Sequence, residues 1–196
     1  MLPRITAPTP IGKAVACRVT ASDSWELPMK KVFAVALLTT AFALLLVPAL
    51  SQAAKPPISV EKSVLRLVNR ERAERGLAAL HLKGSLTHAA RAHSRDMARR
   101  GVLTHVSANG DGVAMRLVRR GYSRKGYRSW SAGETIACAR TGTLFATPEG
   151  ILHLWMNSTP HRQALLKAGF RNAGIGVAKS TGGTLYFTLD LGRRER

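Results

Sequence analysis

Few residues of this chain could do acid–base or metal chemistry. Its six histidines stand at 81, 88, 93, 105, 153 and 161. His105, in Thr104-His105-Val106-Ser107, and His161, in Ser158-Thr159-Pro160-His161, lie in or beside loops, where a scaffold concentrates functional groups. Glu134, in Ala132-Gly133-Glu134-Thr135-Ile136-Ala137, is one of nine acids among 25 Lys and Arg from residue 54 onward. A carboxylate beside an imidazole can orient or charge it. It can equally be the salt-bridge partner of an arginine, with Arg128 close by in sequence. The separations of 29 and 27 residues along His105, Glu134 and His161 match no linear metal motif.

The other histidines read differently. His88, His93 and His153 fall within helical patterns and are expected to be satisfied locally, while His81 sits in a loop with no partner in view. Cys138, beside Ile136 and Ala139, reads as small packing material rather than a nucleophile. No G-x-S-x-G, H-E-x-x-H, C-x-x-C, phosphate-loop or G-x-G-x-x-G motif is present. Arg119, Arg120, Arg124, Lys125 and Arg128 interleave with Tyr122, Tyr127 and Trp130. Such a cluster can stack on bases or sugars or steer an anionic surface, and its plain reading is a solvated face.

The N-terminal stretch bears on destination. Lys30 and Lys31 precede sixteen uncharged residues, 32–47, then Pro48 and the small residues Ser51 and Ala53. This is the anatomy of a signal peptide over 29–53, cleaved after Ala53. An uncleaved anchor is the competing reading, since 32–50 approaches the ~20 residues of a membrane span. Residues 1–28 read as an extension or an upstream start. The exported part, with a short linker at 54–59, then carries a net charge of +16 and keeps Cys138 as its lone cysteine. Over the whole chain the net charge is +19 and 45% of residues are hydrophobic, which excludes a disordered chain. Two cysteines exclude a disulfide scaffold.

The elements that must position His105, Glu134 and His161 follow from periodicity. Ser59 caps a helix to about Arg75, and Ser85 caps another to about Arg100, with His93 on its inward side. Residues 104–112 form a loop, and a short helix covers 112–120. Residues 122–133 look irregular and 134–138 a short strand. Thr147-Pro148-Glu149 opens a fourth helix, and Thr159-Pro160 starts one more turn. Residues 173–178 and 184–191 alternate with period two around Ser180-Thr181-Gly182-Gly183, an antiparallel hairpin. Helices first and a hairpin last give an α+β single domain over 60–192, with a basic tail at 193–196.

Five segments in this order resemble the CAP superfamily, the cysteine-rich secretory, antigen 5 and pathogenesis-related-1 group, in its bacterial single-domain form. They are LVNRERAERGLAAL, AARAHSRDMARRGVLTH, GETIA, LWMNSTPHRQALL and AGIGVA followed by LYFTLDLG. The resemblance implies an α-β-α sandwich with a central antiparallel sheet and a cleft where His105, Glu134 and His161 converge. It departs from the family twice: Thr135 replaces an Asn after Gly133-Glu134, and Met156, Asn157 and Ser158 follow Trp155 where eukaryotic relatives place a second Glu. The remaining His₂Glu set suits Zn²⁺, with His105 and His161 as metal ligands, better than a hard oxygen-seeking ion. Ser107 and Ser158 are candidate ligand contacts by position. The expected role is a secreted monomeric binding module for a lipid or cell-envelope ligand, drawn to an anionic membrane or wall surface by its charge. A metal-assisted hydrolase or peptidase using the trio is the alternative. Export argues against nucleic acid as partner.

Overall fold

Ser59 does cap the first helix, α1 (Val60–Ala73): its hydroxyl accepts from the Lys62 amide at 3.4 Å, and Glu61 lies in the first turn. The structure is a computed structural model in which residues 59–196 are described. The expected extension, signal peptide and most of the linker lie outside them. After α1 come β1 (His81–Leu82), α2 (Gly84–Arg100), α3 (Val113–Arg119), β2 (Ser129–Arg140), a 3₁₀ turn (Leu144–Ala146), α4 (Pro148–Met156), α5 (Thr159–Leu165), β3 (Asn172–Lys179) and β4 (Thr184–Glu195). Among the described residues no helix is long and apolar enough to cross a membrane.

The sheet order is β1-β3-β4-β2. β3, β4 and β2 are antiparallel neighbours, but β1 pairs parallel with β3, so the expected antiparallel sheet is a mixed one. Alternation along the strands sends side chains to two layers. Ala137, Ala139, Ile175, Phe187, Leu189 and Leu191 pack under α1, α4 and α5 with Trp155. Ile136 and Tyr186 face the other way, toward Met97 of α2. The result is the α-β-α sandwich that the family resemblance implied.

Two glycines set the spacing on the α2 side. An ideal Cβ on Gly174 would lie 2.1 Å from the Leu86 carbonyl carbon, and one on Gly176 would lie 2.3 Å from the Arg91 nitrogen. The α2 backbone therefore rests directly on β3. Ser94 seals the contact, donating to the Gly176 carbonyl and lying 2.9 Å from the Thr188 hydroxyl. On the opposite layer buried Arg72 ties α1 to the end of α5, donating to the carbonyls of Leu165 (2.6 Å), Lys167 and Phe170.

Several boundaries differ from the sequence reading. β2 is twelve residues rather than five, because it pairs with β4 from Ser129 opposite Glu195 to Arg140 opposite Thr184. The same ladder absorbs most of the expected basic tail. Segment 129–133 looks irregular in sequence since all its residues but Trp130 are small, yet Trp130 and Ala132 pack on the Leu117–Tyr122 cluster. Ser85 is not a cap: Lys83 holds that position without a side-chain bond.

Candidate functional site

Glu134 has the same parity along β2 as Ile136, so it faces the α2–α3 side, and β2 is the outer strand of the sheet. Its side chain is 1% exposed. Three groups converge on it. His105, in the α2–α3 connection, donates from Nδ1 to Oε1 at 2.7 Å. Arg116 of α3 donates from Nη2 to Oε2 in a close ion pair. His93 of α2 places Nε2 3.8 Å from the same oxygen.

Local structure explains why these groups meet. Arg116 sits where Val113 and Leu117 mark the inward stripe of α3, and it is buried with Leu117. Its other amino group donates to the carbonyls of His105 (2.7 Å) and Asp111 (3.0 Å), closing the loop that carries His105. Asp96 anchors the same loop by accepting from the Ala108 amide at 3.0 Å and from Arg100 at 3.1 Å. His93 donates from Nε2 to the Thr104 carbonyl at 2.8 Å and accepts at Nδ1 from the Ser107 hydroxyl at 3.2 Å, the tautomer being set by that carbonyl.

Beneath this cluster lies Asp190, directly across the β2–β4 ladder from Glu134. It is fully buried, and its oxygens have no hydrogen-bond partner among the described residues. Burial, then the Glu134 charge, push Asp190 well above the usual carboxylate range, with Arg116 pulling the other way. Glu134 goes the opposite way. Burial alone would raise it, but the His105 hydrogen bond and the charge of Arg116 hold it below its usual value. Of the two neighbouring acids, Asp190 is the one that keeps a proton.

His161 lies in the first turn of α5, part-buried. Burial, then the nearby His105, lower its pKa, so the two imidazoles are within electrostatic reach. Ser158 occupies the N-cap of α5 but makes no side-chain capping bond. Ser107 is held between His93 and Arg116. It also lines an open cavity of about 410 Å³ between α2, the 107–111 loop and α3, with His93, Asp96, Asn109 and Arg119. His105, Glu134 and His161 are not among that cavity's walls.

The His₂Glu ligand set does not fit this geometry. Among the described residues no group of three or more His, Cys, Asp or Glu is placed to hold a metal ion. Glu134 presents no oxygen to solvent: its side chain is 1% exposed, with Oε1 facing His105 and Oε2 facing Arg116. It acts instead as a carboxylate behind an imidazole, fixing the ring and leaving Nε2 of His105 as its outward atom. Sequence reasoning missed Arg116 and Asp190 and read His93 as locally satisfied. The signal for Arg116 was an arginine on an apolar stripe; for Asp190 it was an acid inside an alternating strand.

A two-layer helical sandwich around such a strand-edge His/Glu cluster defines a CAP-type domain. The chain belongs to the cysteine-rich secretory protein family, whose model matches residues 65–191. It is 34% identical over 133 residues to the uncharacterised protein YkwD of Bacillus subtilis, covering 68% of this chain and 47% of that protein. Among solved structures it resembles an extracellular protein containing an SCP domain from Bacillus anthracis (TM-score 0.57, 26% identity, 68% of this chain and 40% of that one). It shares its fold with an outer surface protein of Borrelia burgdorferi (TM-score 0.56, 19% identity, 70% of this chain and 97% of that one). The chain thus spans about half the length of the curated relative.

Proposed function

We propose that this CAP domain is an extracytoplasmic binding module. The face bearing His105 and His161 takes a lipid or cell-envelope ligand, and Glu134 holds that face together rather than reacting. One observation carries the reading: the Glu134 carboxylate is buried and bound on both oxygens, while the His105 side chain in front of it is 48% exposed. A general base or metal ligand needs a lone pair that a substrate or ion can reach. A clamp needs only its partners. The extracellular placement of the Bacillus anthracis neighbour, together with the signal-peptide pattern at 29–53, supports location outside the cytoplasm.

The test is mass spectrometry of small molecules extracted from protein recovered from producing cells, wild type beside His105→Ala/His161→Ala. A compound retained by wild type and lost from the double variant is expected. Equal recovery from both would remove the histidine face as the binding site. The His105–Glu134 hydrogen bond favours one other reading, a hydrolase with His105 as general base. Among the described residues no hydroxyl or thiol is hydrogen-bonded to His105. Cleavage of a peptide library by wild type, lost in His105→Ala, would replace binding with hydrolysis.

A further inference from the structure

At the end of the sheet beyond Glu134, three elements meet: the 180–183 turn between β3 and β4, the end of β2 at Arg140, and the C-terminal half of α2. Arg140 lies opposite Thr184 in the ladder, and the Thr141 amide donates to the Gly183 carbonyl at 2.9 Å, joining the β2 exit to the turn. An open cavity of about 360 Å³ separates the turn from α2 and is lined by Arg95, Arg99, Lys179, Ser180 and Thr181. Just past Thr141, the 3₁₀ turn presents Leu144, 85% exposed, and Phe145, 47% exposed.

Single exposed apolar residues are ordinary on a soluble protein. Here two are consecutive and close along the chain to an arginine. Arg95, Arg140 and Lys179 are exposed and form no ion pair with the described residues. Arg99 shares Asp96 with Arg100, and Glu149 in the first turn of α4 is the nearest acid along the chain to Leu144. An apolar tip with a surplus of cations suits an interface that is apolar inside and anionic at its surface.

We propose that this end of the molecule docks on an anionic phospholipid bilayer, with Leu144 and Phe145 entering the acyl boundary and Arg95, Arg140 and Lys179 meeting headgroup phosphates. Charge complementarity selects this occupant, since the region from residue 54 carries +16. The proposal does not rest on the reading of the histidine face, which lies elsewhere on the sheet.

The experiment is vesicle co-sedimentation of the full chain with phosphatidylglycerol and phosphatidylcholine in about a 3:7 ratio, against phosphatidylcholine alone. The apolar segment 32–50 is common to every variant, so differences between variants report the face. Wild type should prefer the anionic vesicles at least about tenfold, less at high salt. Leu144→Ser/Phe145→Ser and Arg95→Gln/Lys179→Gln should each weaken that binding by about tenfold or more, at roughly fivefold per charge for the second pair. Both alter exposed side chains. His105→Ala/His161→Ala should bind the vesicles as wild type does. Anionic binding unchanged in both face variants overturns the proposal. So does binding to lipid-free polyglycerol phosphate as tight as to vesicles, with Leu144→Ser/Phe145→Ser silent, which assigns the cations to a soluble polymer. Vesicle binding lost only in the histidine variant would support the ligand face and reject this one.

Discussion

Glu134 and Arg116 form a buried ion pair, and breaking such a pair on one side is costly. Glu134→Gln keeps the shape and an acceptor for His105 but strands a guanidinium in the interior. It should lower unfolding stability by about 3 kcal/mol in urea denaturation. A loss under about 1 kcal/mol would mean that Arg116 is rescued by water. Asp190 poses the opposite case. Its folded pKa is raised, so the native state holds a proton that the unfolded chain releases above pH 3.8. Stability therefore falls as pH climbs through that window. Asp190→Asn should match wild type at lower pH and gain on it toward neutrality in thermal unfolding. An advantage confined to acid would show that Asp190 is ionised in the fold. Glu134, with its folded pKa depressed, contributes stability above about pH 4.5 that is lost as pH drops through the folded value.

At the scale of elements, the contact of α2 with β3 places His93 beside Glu134. Gly174→Ala would drive a methyl into the α2 backbone at Leu86 and Thr87, neither of which is a flexible side-chain end. A melting point lowered by ten degrees or so, or no folded protein, is expected, corresponding to about 3 kcal/mol; thermal unfolding at the wild-type level would refute the close contact. Much of this layer was legible. Ser59, the Thr147-Pro148-Glu149 start and the Ser180–Gly183 turn carry local signals that the structure keeps. The length of β2 was not, because its register with β4 is a long-range choice that Ser129–Gly133 do not announce. Arg116 and Asp190 were opaque for a related reason. Each stands at an inward position of its element, but only tertiary packing supplies the charged neighbour that gives it a role.

At the largest scale described, residues 59–196 form an α-β-α sandwich whose outer strand carries a buried polar cluster, in a chain that is strongly basic. Its relatedness to the cysteine-rich secretory protein family accounts for the architecture. It leaves the work of the histidine face to be decided by the state of one carboxylate. Carbon-detected NMR titration of the Glu134 and Asp190 carboxyl groups, with and without added Zn²⁺, addresses that state directly. The account predicts that Glu134 titrates below its usual 4.5, that Asp190 titrates well above 3.8, and that zinc leaves the Glu134 signal in place. A Glu134 that holds its proton toward neutrality, or whose resonance moves on zinc addition, would contradict the clamp and return it to the reactive groups.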